Sequence, residues 1–212
     1  MSKATSIKDL IYENIYSGIL AGEFPVSTIL NEKALTERYA VSKTPVREAL
    51  VQLCSEGILK NIPRYGYQVT PITPKEIHEV CELRIILEMA AFEKTISNLT
   101  AEQLRQLETQ VETARAQKDE RDVRKQWQLN LDFHLFLCGL CGNLLLYAAL
   151  EQALKFCSRG AAQFFNEKWA KDQGTDEHTE LVRALKEQNY AHAKQILYHD
   201  IYAMKNQLLG IE

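Results

Sequence analysis

A change of texture near residue 73 limits the folds open to this sequence. From Thr73 onward, apolar residues recur at helical spacing and no alternating strand pattern occurs. Before it, three short helical patterns lead into two brief alternating runs, "ILKNI" and "YQVTPI", separated by the turn-forming "PRYG". Three helices and a small hairpin predict a winged helix-turn-helix over residues 1–72. The periodicity beyond it predicts an all-α antiparallel helical bundle over residues 73–212, so the chain should be mainly α. The break itself is a helix start. Thr73-Pro74-Lys75-Glu76 combines a capping box with proline at the first helical position.

In the first part, Ile7, Leu10, Ile11, Ile15 and Ile19 mark a helix over 6–21, which Gly22 and Pro25 interrupt. A short helix follows at 31–40. A third should begin near Pro45, capped by Ser42 or Thr44, because proline disfavours helical geometry in the residue before it. Val46, Leu50 and Leu53 form its inward face, and Gly57 ends it. In the second part, helices are expected at about 74–96, 101–118, 122–140, 143–169, 176–187 and 190–208. The one at 122–140 carries Trp127, Leu131, Phe133, Leu135, Phe136 and Leu137 around much of its circumference. It belongs inside the bundle.

Composition excludes several classes. No apolar run of about 18 uncharged residues occurs, so no membrane span is expected. The charged start "MSKATSIKDLIYENIY" lacks a signal-peptide core, and five scattered cysteines suit reduced thiols; both point to the cytoplasm. Cys138 and Cys141 form an isolated C-x-x-C that fits packing in an apolar helix. The net charge of −3 is unevenly spread: residues 1–75 carry +2 and the remainder −5. That permits nucleic-acid binding by the first third without arguing for it.

The run 41–57, "VSKTPVREALVQLCSEG", places Lys43 and Arg47 near a helix N-terminus, already the positive end of the helix dipole. Cations there make sense if an anion comes to them. In a helix-turn-helix, the start of the recognition helix enters the major groove beside the phosphates, and arginine is the usual reader of guanine. Lys43, Thr44 and Arg47 would then face DNA while Val46 and Leu50 hold the helix to its core.

"LNEKALTERYAVSKTPVREALVQLCSEGIL", followed by "PRYGYQV", closely resembles the DNA-binding domain of GntR-family bacterial transcription regulators. The resemblance implies phosphate and base contacts from Lys33, Ser42, Lys43, Thr44 and Arg47, with the wing tip, Arg64, Tyr65 and Gly66, near the minor groove. The chain has Pro25-Val26 where the family usually has Pro-Gly, and Lys43 where it usually has arginine. A lysine lacks the bidentate fork, which favours a phosphate contact at that position.

The second part, through "ELRIILE", "NLDFHLFLCGLCGN" and "EHTELVRALKEQNYAHAKQILYHDI", resembles the FCD effector domain of the FadR-type branch. From the residues themselves, Asn130 and His134 share one face of an interior helix, and His178 and His199 lie on two later helices. Imidazoles converging inside a bundle can hold a divalent metal of the zinc, nickel or manganese kind. The resemblance implies an aspartate or asparagine and three histidines as ligands. Counting from the expected cap Asn189 puts Asp200 rather than His199 at the last position, and both stay open. Arg84 lies on the inward stripe Ile77, Cys81, Arg84, Ala91 and needs an anion. That anion is either Glu88, one turn on, or the carboxylate of a ligand.

The function these readings predict is a ligand-responsive regulator that binds a palindromic double-stranded DNA operator as a homodimer, with a small organic acid as effector. A metal-responsive regulator is the alternative. A metal-dependent enzyme with a DNA-binding head lacks support, since no H-E-x-x-H motif or acid–base pair accompanies the histidines.

Overall fold

A computed structural model of the chain describes residues 6–117, 123–164 and 175–210. It is mainly α and divides into two compact units, Met1–Ile72 and Thr73–Glu212.

The first unit opens with helix α1, Ile7–Leu20, started by a capping box between Ser6 and Asp9. Helix α2, Glu32–Tyr39, is capped by Asn31, whose side chain accepts from the Lys33 amide at 2.8 Å. Ala40, at φ +50°, makes the tight turn into helix α3, Lys43–Ser55. The third helix therefore starts two residues earlier than expected from Pro45. Proline at its third position removes only an N–H that has no intrahelical partner there, and this outweighs the restriction on Thr44. Val46, Ala49, Leu50 and Leu53 are fully buried against Ile11, Ile15 and Ile19 of α1 in one apolar core.

Two strands, β2 (Leu59–Ile62) and β3 (Gly66–Val69), form the antiparallel wing. A third strand, β1 (Ile29–Leu30), pairs with the other edge of β3, placing Leu30 opposite Tyr67. Two residues carry no periodicity, so β1 had no readable signal. It leaves little room at the wing. A Cβ on Gly66, at φ +132°, would lie 2.4 Å from the Leu30 carbonyl oxygen. Gly66→Ala is therefore expected to destabilise this unit by more than the roughly 1–3 kcal/mol of an unfavourable backbone conformation. Gly57→Ala is the control, because Gly57 also has positive φ but open space around it. Equal losses for both variants in chemical denaturation would show that the Leu30 contact yields freely.

The second unit contains, within the described residues, helices α4 (Pro74–Ile96), α5 (Ala101–Ala116), α6 (Val123–Gly139), α7 (Leu144–Phe164), α8 (Thr175–Lys186) and α9 (Tyr190–Leu209). The distal part of the helix expected over 143–169 lies outside the described residues. Capping boxes at Thr73 and Thr100 start α4 and α5. Helix α4 is central and packs on α6, α7 and α9. It approaches α7 so closely that a Cβ on Gly160 would meet Ile77 Cδ1 at 2.2 Å. Trp127, Leu131, Phe133 and Leu137 of α6 are buried, as its composition predicts. Cys138 is buried too, and burial pushes its thiol up to about 12, as expected of a packed cysteine rather than a reactive one.

Candidate functional sites

In the first unit, the start of α3 presents Ser42, Lys43, Thr44 and Arg47, all exposed. The Ser42 hydroxyl makes no capping hydrogen bond. The two cations are not left alone at the positive end of the helix. Arg47 Nε donates to Glu32 Oε1 at 3.0 Å and its Nη2 to Oε2 at 2.9 Å. Lys43 Nζ lies 3.5 Å from the same carboxylate, and the Tyr67 hydroxyl donates to it at 3.1 Å. The Arg47 hydrogen bonds hold Glu32 at about 2, below the usual carboxylate range. Lys33 is exposed and lies 3.9 Å from Glu37. At the wing tip, Arg64 takes φ +73° and Tyr65 is exposed. Glu32 was not among the sequence-predicted residues. Its signal was present: it opens α2 right after the cap Asn31, where a carboxylate complements the helix dipole.

The second unit encloses a chain of polar groups. Arg84 on α4 is fully buried, and its Nε donates to Glu88 Oε1 at 2.8 Å. Glu88 Oε2 lies 2.6 Å from Nδ1 of His134 on α6. His134 Nε2 lies 2.8 Å from Asp200 Oδ2 on α9. His178 on α8 brings its Nε2 to 3.4 Å from the same oxygen, without hydrogen-bond alignment, and stacks on Phe133 with ring centroids 3.8 Å apart. All five polar side chains are buried.

The electrostatics follow from this order. Burial alone would lower the pKa of His134, but the Glu88 charge and the Asp200 hydrogen bond outweigh it and push it up to about 9. Burial would raise Asp200, yet the two imidazoles hold it well below the carboxylate range. Burial pushes His178 below the ordinary imidazole value. Within this cluster, two buried nitrogens lack hydrogen-bond partners: Arg84 Nη2 and His178 Nε2. The remaining Arg84 nitrogen, Nη1, contacts the soft Met204 sulfur at 2.9 Å.

The structure thus brings together Arg84, His134, His178 and Asp200. One ligand atom each from His134, His178 and Asp200 falls within 4.8 Å of the others. Asn130 is half-buried, one turn before His134 on the same face of α6. His199 is corrected: it is exposed, while its neighbour Asp200 points inward. Successive helical residues differ by about 100°, so both cannot face the cluster. The two readings of Arg84 also resolve in part. Glu88 accepts from Nε alone, and Nη2 is left without a hydrogen-bond partner. The bridge from Glu88 to His134 was missed. A carboxylate one turn from a buried arginine has a second oxygen to satisfy, and only the fold reveals its partner.

The set suits a divalent metal. His178 Nε2 is buried and unpartnered, the donors are two imidazoles and a carboxylate, and Glu88 sits behind His134 as ligating histidines require.

Residues 79–203 match the FCD domain family, and residues 7–69 match the family described as bacterial regulatory proteins, gntR family. An uncharacterized HTH-type transcriptional regulator of Bacillus subtilis, YdhC, is 32% identical over 161 residues, spanning 74% of this chain and 72% of that protein. The HTH-type transcriptional repressor RspR of Escherichia coli is 23% identical over 183 residues, spanning 86% and 80%. The solved structure of E. coli McbR/YncC superposes with a TM-score of 0.80 at 22% identity, covering 96% of this chain and 97% of that one.

Proposed function

The chain belongs to the GntR family of bacterial transcriptional regulators and carries an FCD domain, and from that premise we propose that it binds a palindromic operator as a homodimer under the control of a small organic acid. The observation that carries the effector reading is Arg84 Nη2, a cationic donor buried without a partner next to the His134–His178–Asp200 cluster. A buried guanidinium edge recognises a carboxylate better than any neutral group. His134, His178 and Asp200, with Asn130, would hold a divalent metal, which supplies a Lewis-acid position for a second ligand oxygen. Arg84 on α4 and a metal held by residues of α6, α8 and α9 would grip the acid together.

Lys33, Ser42, Lys43, Thr44 and Arg47 would meet the major groove and its phosphates, with Arg64, Tyr65 and Gly66 at the minor groove. Homodimerisation doubles the readout of a single small head. Leu83 and Ile86 on α4, 46% and 65% exposed, are apolar surface suited to a second copy. The coupling between acid and operator is bounded by the acid's affinity difference between dimer shapes that do and do not fit two half-sites.

Arg47→Ala is expected to weaken operator binding by about 1–3 kcal/mol. Anisotropy on an operator selected from a randomised palindromic library measures it, and unchanged affinity with an intact fold would remove Arg47 from the interface. For the effector, calorimetry with hydroxy, keto and sugar acids on the zinc-loaded protein is decisive when repeated on Arg84→Met. A ligand that binds both equally tightly sits elsewhere. The His/His/Asp cluster also favours a second reading, in which the metal itself is the signal. Operator affinity that follows metal concentration and ignores every acid selects that reading.

A further inference from the structure

The free protein already engages its exposed recognition arginine, and the manner of engagement is informative. A guanidinium has two hydrogen-bonding edges: a side, Nε with one Nη2 hydrogen, and an end, Nη1 with the other Nη2 hydrogen. Glu32 takes the side of Arg47 with both oxygens. That leaves the end edge, whose two parallel N–H groups can bond guanine O6 and N7. Glu32 is itself fixed. It begins α2, is half-buried, and accepts from the Tyr67 hydroxyl of β3. Three elements thus converge on one carboxylate, and the arginine it holds loses little further rotamer freedom on binding.

We propose that Glu32 is a specificity-determining positioning residue, which holds Arg47 side-on so that its end edge is presented to a guanine. This rests on the DNA-binding reading above. The carboxylate acts twice. It aims Arg47, which favours the correct base, and its charge repels phosphates, which disfavours binding to any sequence. The two effects have opposite consequences when Glu32 is removed, which separates positioning from plain electrostatics.

The experiment compares the full-length wild type with Glu32→Ala, Glu32→Gln, Arg47→Ala and the Glu32→Ala/Arg47→Ala double variant. Each is titrated onto the selected operator, onto operators changed at one base pair per half-site, and onto a scrambled duplex. For Glu32→Ala, discrimination at one G·C pair should fall about 5- to 150-fold, while affinity for the scrambled duplex rises or holds. The double variant should discriminate at that pair no worse than Arg47→Ala alone. Glu32→Gln keeps one acceptor and the shape, so it should fall between wild type and alanine; it also serves if the alanine variant does not fold. Equal gains on operator and scrambled duplex would overturn the proposal, leaving Glu32 a repulsive charge only. Unchanged discrimination in both Glu32 variants would overturn it as well. A null result for Arg47→Ala would instead bring down the placement of Arg47 on DNA, and the inference with it.

Discussion

Replacing Glu88 with alanine should destabilise the helical unit by about 3–5 kcal/mol, the usual result of stripping one partner from a buried ion pair. The size follows from what remains. Arg84 is fully buried, donates its Nε to Glu88 and already has one nitrogen without a partner. Its charge cannot be discarded, because arginine does not deprotonate in proteins. His134 loses the same carboxylate, but it can shed its proton and so escapes part of the penalty. Glu88→Gln keeps an acceptor and the volume and should be milder. The double change Arg84→Met/Glu88→Leu should be less harmful than Glu88→Ala, since an apolar pair leaves no orphaned charge. Urea denaturation followed by tryptophan fluorescence measures this in the intact chain, because residues 1–72 contain no tryptophan. A Glu88→Ala loss under about 1 kcal/mol would mean that water reaches Arg84 readily.

The second large effect is the response of stability to metal. A ligand that binds only the folded state stabilises it by RT ln(1 + [L]/Kd), about 4 kcal/mol at a thousandfold excess over Kd. For a domain of this size that corresponds to a rise of about 10 °C in Tm. Zinc added to chelator-treated protein should produce such a rise, and His134→Ala should abolish it. His199→Ala should respond like the wild type, because His199 is exposed and away from the cluster. Equal shifts in wild type and His134→Ala would place the metal elsewhere.

How much of this was legible in the sequence depends on the kind of information each feature uses. The helices of the bundle were legible because their starts are local. Thr73 with Glu76, and Thr100 with Gln103, satisfy orphan amides within four residues. Arg84 and His134 were legible as inward-facing polar residues because an ionisable group on an apolar stripe is conspicuous wherever the stripe packs. The choice between His199 and Asp200 was legible in principle. Ala193, Leu197, Asp200, Met204 and Leu208 recur at three- and four-residue spacing on α9, and His199 falls off that stripe. What could not be read was pairing across elements. Strand β1 exists because its two residues meet the edge of β3, and Glu88 reaches His134 across 46 residues of chain. Glu32 meets Arg47 only because the tight turn at Ala40 returns α3 to the start of α2.

The Tyr67 hydroxyl on Glu32 makes the wing strand and Arg47 partners of one oxygen. Independent readers give base preferences that add, as separated mismatches in an operator usually do. Readers that share an anchor do not. With the wing and Arg47 placed on DNA as proposed, a base change that shifts the wing in the minor groove would alter the hold on Arg47, and hence what it prefers in the major groove. An operator for this protein is then better described by pairs of positions than by single ones. A matrix of independent base scores would misrank those sites in which the wing's base and Arg47's base change together.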